Sequence, residues 1–344
     1  MSARRRWLPW VLTLTLVFVG VAGNRLVLWT TAPVMPDSAG QQPPVTMVEI
    51  PAGASFKQVA ALLYQQHLIA SRLGFLLVGK LLGAERKIHP GEYALHPAMR
   101  PIDIINTLAS GRIVLHPVTI PEGYSIAQIA DLLAEKRLVD RKEFIALAHD
   151  AAFIKTLGLD VPSLEGYLFP NTYQFPKHTS ARDIMTAMVA EWDRVWTPEL
   201  RSRAKDINLS VHEVLTLASV IEKETGVDSE RELVAGVFHN RLRKRIPLQS
   251  DPTVIYGLSD FDGNLRKRDL ALDTPYNTYR HAGLPPGPIA NPGERSIHAA
   301  LYPVPSSYLY FVSRNDGTHQ FSSTLTEHNH AVDKYQRRQV RRAS

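Results

Sequence analysis

The chain has 344 residues, of which 44% are hydrophobic and 21% charged, with no cysteine and a formal net charge of +6. This length is enough for two domains with their own cores, and the lack of cysteine excludes a disulfide framework. No P-loop or Gly-x-Gly-x-x-Gly pattern points to nucleotide chemistry, and the 13 histidines show no His-Glu-x-x-His pairing. We therefore predict no cofactor, no metal and no nucleic-acid partner. The basic balance is compatible with an anionic partner or with lipid headgroups but specifies neither.

The N-terminus has the pattern of a membrane anchor. Three arginines at 4–6 precede an uncharged run over 7–23, and apolar residues continue to Trp29. The length is near the short limit for a membrane span, and the arginines predict a cytoplasmic N-terminus with the rest of the chain outside. A cleaved signal peptide is the alternative, because residues 20–22 resemble a cleavage site. The apolar residues up to Trp29 favour an anchor, so 1–29 is assigned to a cytoplasmic tip and a single transmembrane helix.

Residues 30–44 are predicted to form a linker, because they are rich in proline and show no apolar periodicity. An internal repeat follows, in which 50–69 and 120–139 share nine of twenty aligned positions. Each copy is predicted as a strand, a Pro-x-Gly turn and a helix capped by serine. Pro117 inside the second strand indicates an edge position. The pattern resembles LysM-type peptidoglycan-binding modules, and a recurrent βα unit without a ligand is the alternative.

From about residue 141 the pattern is mainly helical, with helices predicted over 142–149 and 182–196. A second serine-glutamate capping box at 229–232 is predicted to open a further helix. Residues 308–312 are predicted to form a buried strand, and the tail from Glu327 to form a helix.

One helix carries the candidate catalytic acid. Ser210 and Glu213 have capping-box spacing, and an apolar pattern continues over 211–225 before Gly226. On a helical wheel Glu222 lies among apolar residues, so desolvation should raise its pKa and suit it to general acid catalysis. A glutamate that only extends from a core helix to solvent is the alternative. Glu224 lies at the edge of the apolar arc, where solvent should keep its pKa ordinary.

Seven ordered blocks carry a resemblance that covers nearly the whole chain. They are EGYLFPNTY at 165–173, LASVIEKET at 217–225, VFHNRL at 237–242, LQSDPTVIYG at 248–257, YNTY at 276–279, GLPPGPI at 283–289 and YLYFV at 308–312. Together they are similar to the endolytic murein transglycosylase (MltG/YceG-like) family. Two departures, GPI and NPG where relatives are expected to have GAI and TPG, do not touch the acid.

The resemblance implies an enzyme anchored in the inner membrane, with its catalytic domain in the periplasm. It would cut the β-1,4 bond between N-acetylmuramic acid and N-acetylglucosamine within nascent glycan strands and leave 1,6-anhydro ends, which would end strand elongation. Glu222, the first Glu of the EKET block, would be the catalytic acid and then the base. The substrate contacts predicted with it are Gln249, Asp251, Tyr256, Asn277 and Asn329. Peptidoglycan strands are the expected substrate, and peptidoglycan synthases (penicillin-binding proteins) are candidate partners.

The predicted fold class is α+β, with a LysM-like βα subdomain at 45–115 and a larger mixed α+β catalytic domain at 116–344. Two other functions stay open. A muramidase would hydrolyse the same bond with a second carboxylate, for which Asp251, Glu224 and Glu165 are the candidates. A non-catalytic protein would bind peptidoglycan through the repeat and organise synthases.

Overall fold

The computed structural model describes residues 32–35 and 44–337, so the predicted anchor at 1–29 lies outside the described residues. The part that is described contains no helix with the length and apolar character needed to cross a membrane. Its architecture is mixed α+β, in two compact units. The first comprises residues up to His116 with Gln174–Lys177, and the second comprises Pro117–Tyr173 and the residues from His178 onwards. The functions predicted for 45–115 and 116–344 stay predictions.

The first unit contains a two-stranded antiparallel sheet whose strands are separated in the chain by two helices. Strand β1 (Thr46–Ile50) pairs antiparallel with β2 (Gly91–Leu95), and helices α1 (Phe56–Gln65), α2 (Arg72–Leu81) and α3 (Pro101–Ala109) accompany it. Alternate strand residues and one face of each helix supply the core, which therefore follows from the two periodicities of the sequence.

The first repeat copy has the predicted strand, turn and helix. Its turn contains Gly53 at φ +77°, a left-handed conformation that favours glycine. Ser55 caps α1 in a reciprocal capping box with Gln58, which satisfies backbone donors at the helix start. The second copy repeats this pattern with β3 (Leu115–Thr119) and α4 (Ile126–Glu135), which Ser125 and Gln128 cap in the same way. β3 pairs with β4 (Thr172–Pro176) in a two-stranded sheet, where each strand is an edge and Pro117 is tolerated.

The rest of the second unit is mostly helical, and β5 (Tyr310–Ser313) pairs antiparallel with β6 (His319–Ser322). Short 3₁₀ and π segments occupy Asp269–Ala271 and Asp333–Arg337. The helices are α5 (Arg141–Ala148), α6 (Ala151–Thr156), α7 (Ala181–Val195), α8 (Pro198–Asp206), α9 (Val211–Glu224), α10 (Asp228–Arg243), α11 (Asp251–Tyr256), α12 (Glu294–Leu301) and α13 (Leu325–Val332).

Helix α9 is the centre of this unit, because every residue over 214–221 is buried and the helix packs against α10 and α12. The predicted capping box of Ser210 and Glu213 is confirmed. The helix ends at Glu224, since Thr225 is already extended at φ −141°. The predicted second capping box is wrong, because α10 begins after Val227, which has no side-chain cap, and Ser229 lies inside its first turn.

Candidate active site

A cleft of about 590 Å³ opens in the second unit where the end of α9 meets the segment before α11, the β5–β6 hairpin and α13. We call it the Glu224 cleft. Its walls combine carboxylates, amides, imidazoles and aromatic rings, which is the mixture that a polar, ring-shaped ligand needs. The residues that line it include Glu224, Arg241, Gln249, Asp251, Tyr279, Tyr310, His319, His328 and Asn329.

Together with Asp251, Glu224 is one of two carboxylates among the described residues that line this cleft. Its Oε1 accepts a 2.5 Å hydrogen bond from the Ser250 hydroxyl. The pKa of Glu224 is raised to about 7, chiefly by burial and also by the nearby charge of Asp251. The Ser250 hydrogen bond and the positive character of His319 and Arg241 act in the opposite direction. A carboxyl group that titrates near neutrality can hold a proton and release it at working pH, as general acid–base catalysis requires.

The segment that carries Ser250 is held rigidly. The backbone N–H of Ser250 donates to Thr278 Oγ1 at 3.0 Å, and Thr278 Oγ1 lies 2.8 Å from Thr253 Oγ1. Gln249, at the cleft wall, adopts φ +51°, a strained left-handed conformation for a residue with a side chain. Its N–H donates to the Thr278 carbonyl at 3.1 Å, which holds the strained residue in place.

A buried arginine supports the same wall. Arg241, near the end of α10, donates to the carbonyl oxygens of Pro247 and Leu248 at 3.1 and 2.9 Å and to that of Leu309 at 2.6 Å. Its guanidinium also lies 5.1 Å from the centre of the Tyr310 ring. One side chain therefore fixes the loop before α11 against the β5 strand on the other side of the cleft.

Three of the five predicted substrate contacts line the Glu224 cleft, namely Gln249, Asp251 and Asn329. Asp251 Oδ1 accepts a hydrogen bond from the Tyr279 hydroxyl at 2.6 Å, which orients this carboxylate. Asn329 is exposed on α13, so its amide is accessible from the cleft. The role of these residues as substrate contacts stays a prediction.

The other two do not line the cleft. Asn277 is fully buried, and its amide donates to the carbonyl oxygens of Leu270 and Leu272 at 3.1 and 2.6 Å. The Tyr256 hydroxyl donates to Glu165 Oε2 at 3.0 Å, and its ring lies 4.8 Å from that of Tyr276. The polar groups of both side chains are thus engaged within the protein, and their role as substrate contacts stays a prediction.

Glu222 has different surroundings from those that the helical wheel predicts. Its Oε1 accepts from Arg231 Nη1 at 3.1 Å, and its Oε2 accepts from the Gly293 backbone N–H at 3.0 Å. The Glu222 side chain is 9% exposed and that of Arg231 is 6% exposed, so the pair is largely removed from solvent. Both carboxylate oxygens of Glu222 are therefore engaged by groups of the protein itself.

A second cavity, of about 520 Å³, lies beside this ion pair and is lined by acidic, arginine and histidine side chains, including Glu122 and Arg231. Burial, followed by the charge of Glu222, raises the pKa of Glu122. Glu122 and Gly123 belong to the turn of the second repeat copy, and a Cβ at Gly123 would lie 3.3 Å from Glu222 Cγ. Glu222 therefore packs against the repeat turn.

Glu165 is a third buried carboxylate, and it lies in the interior of the unit. Its oxygens accept from the Ile126 N–H at 3.1 and 3.2 Å and from Asn291 Nδ2 at 3.0 Å, in addition to the Tyr256 hydroxyl. Burial raises the pKa of Glu165 to about 7. Because it is 3% exposed and its oxygens are all engaged, Glu165 is a structural junction.

The sequence interpretation names Glu222 as the acid and Glu224 only as a competing carboxylate, and its role for Glu222 stays a prediction. It assigns no site role to Ser250, Tyr279, His319 or His328, which the structure places at or beside the cleft. The prediction that solvent keeps the pKa of Glu224 ordinary is wrong, because the covering groups come from distant segments that a helical wheel does not include. The predicted helix end near Glu224 was the signal available in the sequence. A residue in the last turn of a helix has neighbours from the segments that pack over the helix end, and a helical wheel omits them. Within the described ranges, no three His, Cys, Asp or Glu side chains group as a metal site.

Comparison with known proteins gives consistent results. The model of the YceG-like family matches residues 48–334. A Bacillus subtilis (strain 168) protein named endolytic murein transglycosylase is 38% identical, with 84% of each chain covered. A protein of the same name from Streptococcus pneumoniae serotype 2 is 31% identical over 91% of this chain, which spans 62% of that protein's length. A crystal structure of a yceG-like protein from Listeria monocytogenes is 38% identical with a TM-score of 0.58, covering 83% of this chain and 98% of that one.

Proposed function

Because this chain belongs to the YceG-like family, we propose that it is an endolytic murein transglycosylase that works in the Glu224 cleft. The substrate would be the glycan strand of peptidoglycan, cut within its length at the β-1,4 bond between N-acetylmuramic acid and N-acetylglucosamine. The observation that carries the site is the raised pKa of Glu224 in a cleft lined by amides and aromatic rings.

The reaction needs one carboxyl group that acts twice. Protonated Glu224 donates its proton to the glycosidic oxygen as the bond to C1 of muramic acid breaks. The C6 hydroxyl of the same sugar then attacks C1, and Glu224, now a carboxylate, takes the hydroxyl proton. The products are a free 4-hydroxyl on one strand and a 1,6-anhydro ring on the other, with no water consumed. Ser250 would hold the Glu224 carboxyl in one orientation through both steps.

The cleft supplies groups for the sugar as well as for the proton. Gln249 and Asn329 offer amides that can hydrogen-bond to hydroxyl and N-acetyl groups, and Tyr310 offers an aromatic face. Gln249 lies in a strained turn, Asn329 in a helix and Tyr310 in a strand. The cleft wall is therefore built from ordered elements, which would hold the sugar in one position next to Glu224. Precise positioning matters here because the nucleophile belongs to the substrate itself.

The contacts around the two glutamates of the EKET block support Glu224 over Glu222 as the acid. Glu222 has an arginine partner and a backbone donor, whereas Glu224 faces a hydroxyl and lies near another carboxylate. The sequence interpretation assigns the acid to Glu222, and the variants described below distinguish the two assignments. Glu222 and Arg231 would instead join α9 to α10 as a buried ion pair.

A hydrolase remains the second candidate, because Asp251 borders the same cleft as Glu224. In a muramidase, Asp251 would act as nucleophile or as base for a water molecule. The two reactions leave different ends: a hydrolase gives reducing muramic acid, and the transglycosylase gives the anhydro form. Mass spectrometry of the products distinguishes them.

The proposal includes the location of the enzyme. The arginines at 4–6 and the apolar run to Trp29 support a single membrane anchor with the described units outside the cytoplasm, where peptidoglycan lies. The first unit, with its LysM-like repeat copy, would contact glycan, and peptidoglycan synthases would deliver the nascent strand. Cleavage there would end strand elongation.

The deciding experiment compares Glu224→Gln with Glu222→Gln on purified glycan strands. Glu224→Gln should lower turnover by at least the ~10²–10⁴ that general acid–base catalysis contributes, with glycan binding retained. Glu222→Gln should keep most of the turnover and lower stability, because it removes one of the two carboxylates that pair with the buried Arg231, the other being Asp228. An inactive but folded Glu222→Gln beside a fully active Glu224→Gln would reverse the assignment. Binding without cleavage by the unmodified protein would support the scaffold function instead.

A further inference from the structure

Helix α2 of the first unit has two apolar faces, and only one of them is packed. Its inner face carries Phe75, which is fully buried and stacks on Phe56 with ring centres 5.1 Å apart. Gly79 lets the helix approach closely, since a Cβ there would lie 2.2 Å from the Phe56 ring. The helix is thus fully docked, and its outer face is a surface feature of the folded unit.

The outer face carries leucines at successive turns. Leu73, Leu77 and Leu81 are 74%, 57% and 87% exposed, at a spacing of four residues that aligns them along the helix. We call these three residues the leucine ridge. Leu82 and Tyr64, beside it, are also exposed, at 43% and 47%. Single exposed leucines are ordinary, but a contiguous row of this kind marks a surface that a partner covers.

Basic residues surround the leucine ridge. Residues 72–87 contain four lysines and arginines and one acidic residue. Residues 44–116 as a whole contain seven basic and four acidic side chains, so this segment accounts for all of the excess positive charge. All four basic residues of the segment are exposed, and the Arg72 guanidinium lies 6.0 Å from the centre of the Tyr64 ring. Leucines with a rim of Lys, Arg and Tyr are the composition of helices that lie in a membrane interface.

We propose that the leucine ridge rests on the outer surface of the membrane that holds the anchor, with its leucines among the lipid headgroups and its basic rim on anionic phospholipid. This inference rests on the anchor of the proposed function. Fifteen residues, 30–44, separate Trp29 from Val45, so the unit stays within about 50 Å of the membrane at full extension. Such a short tether gives a high effective concentration, and weak contacts become populated.

The contact would hold the first unit in a fixed orientation close to the site of strand synthesis. Membrane affinity of this kind needs both the apolar ridge and the charges, because each alone gives weak and reversible binding. It should therefore weaken in neutral lipid and at high salt.

The experiment uses the full chain reconstituted in vesicles of phosphatidylcholine and anionic phosphatidylglycerol. Because the chain has no cysteine, Leu77→Cys introduces a single thiol for an environment-sensitive dye. Asn106→Cys, an exposed polar position on α3 of the same unit, is the matched control. The dye at position 77 should lose most of its emission to spin-labelled lipids and resist quenching by iodide in solution, and the dye at 106 should behave in the opposite way. Replacing phosphatidylglycerol with phosphatidylcholine should reduce the difference.

Each other outcome contradicts the proposal in a distinct way. Equal iodide quenching at both positions, in vesicles to which the protein remains bound, would mean that the ridge faces water. Protection of position 77 from iodide and from the lipid quencher would mean that protein covers the ridge, either a second copy or a partner. A chain that does not float with the vesicles would overturn the anchor and this inference together, while the Glu224 assignment would still be decided by the glycan assay.

Discussion

Two glutamates two positions apart on one helix have contrasting surroundings in this protein. Glu222 meets a guanidinium and a backbone N–H, and both partners stabilise negative charge. Glu224 meets a hydroxyl and lies near Asp251 in a desolvated position, and its pKa rises to about 7. Two carboxyl groups in such different environments can take different roles in one site, and the proposal assigns the proton transfer to Glu224.

The activity should therefore decline above about pH 7, as Glu224 loses its proton. Asp251→Asn removes a charge that raises the pKa of Glu224, so the decline should begin at lower pH while anhydro products persist. Ser250→Ala removes a hydrogen bond that favours the ionised carboxylate, so the decline should begin at higher pH. The measurement is kcat against pH for both variants.

Opposite shifts in these two variants are specific to Glu224 as the acid. If both variants keep the pH profile of the unmodified protein, the titrating group lies elsewhere. Loss of all activity in Asp251→Asn together with reducing product ends in the unmodified enzyme would establish the two-carboxylate hydrolase.

At the scale of elements, the capping boxes set where helices begin. Ser210 and Glu213 each satisfy a backbone donor at the start of α9, the helix that carries both glutamates. Ser229 has the same sequence spacing to Glu232, yet it lies inside the first turn of α10 and caps nothing. The identical pattern therefore has two different structural meanings.

This difference gives a matched pair of variants. Ser210→Ala should lower the free energy of unfolding by about 1 kcal/mol, the usual cost of losing an N-cap. Ser229→Ala should change it by less than ~0.5 kcal/mol, as is normal for an exposed position without such a role. Urea unfolding in detergent micelles, followed by circular dichroism, measures both. An equal loss in the two variants would contradict the helix boundaries described here.

At the scale of the whole molecule, buried carboxyl groups make stability depend on pH. The pKa of Glu165, like that of Glu224, rises from an ordinary value near 4.5 to about 7 on folding. A group with a raised pKa in the folded state contributes stability that is complete below about pH 4.5 and is lost as the pH rises through about 7. The second unit should therefore be more stable at pH 5 than at pH 8.

Glu165→Gln should reduce that dependence, because the amide does not ionise. The contribution of Glu165 is of the order of 3 kcal/mol between these two pH values. The unfolding free energy of the variant should fall less from pH 5 to pH 8 than that of the unmodified protein, whatever its absolute stability. An unchanged slope would show that Glu165 is already ionised throughout this range.

Topology is the other question for the whole molecule. A reporter that is active only outside the cytoplasm, fused after Ser344, should be active, because the arginines precede the apolar run. A reporter that requires the cytoplasm should be silent at the same position, and its activity would overturn the assignment. A mature chain beginning near Gly23 would instead support the signal peptide.

The sequence by itself determined the elements whose causes are local. The repeat copies, the Ser210 cap and the helix that follows it depend on spacing within about a dozen residues, and all are present as predicted. The seven blocks determined the family, because their order and residue types are visible without any coordinates. Periodicity alone also indicated that a glutamate near the end of α9 is embedded.

Only the tertiary structure decided which groups surround each of the two glutamates near the end of α9. Helix α9 ends at Glu224, and the carboxylate of Glu224 accepts a hydrogen bond from Ser250, which lies 26 residues further along the chain. The carboxylate of Glu222 accepts hydrogen bonds from Arg231 and from the Gly293 N–H. Asn277 is a second example. An amide side chain can hydrogen-bond to a sugar, but the amide of Asn277 donates to the carbonyl oxygens of Leu270 and Leu272. The pKa of a carboxyl group depends on desolvation and on charges within a few ångströms, and these come from segments that are distant in sequence.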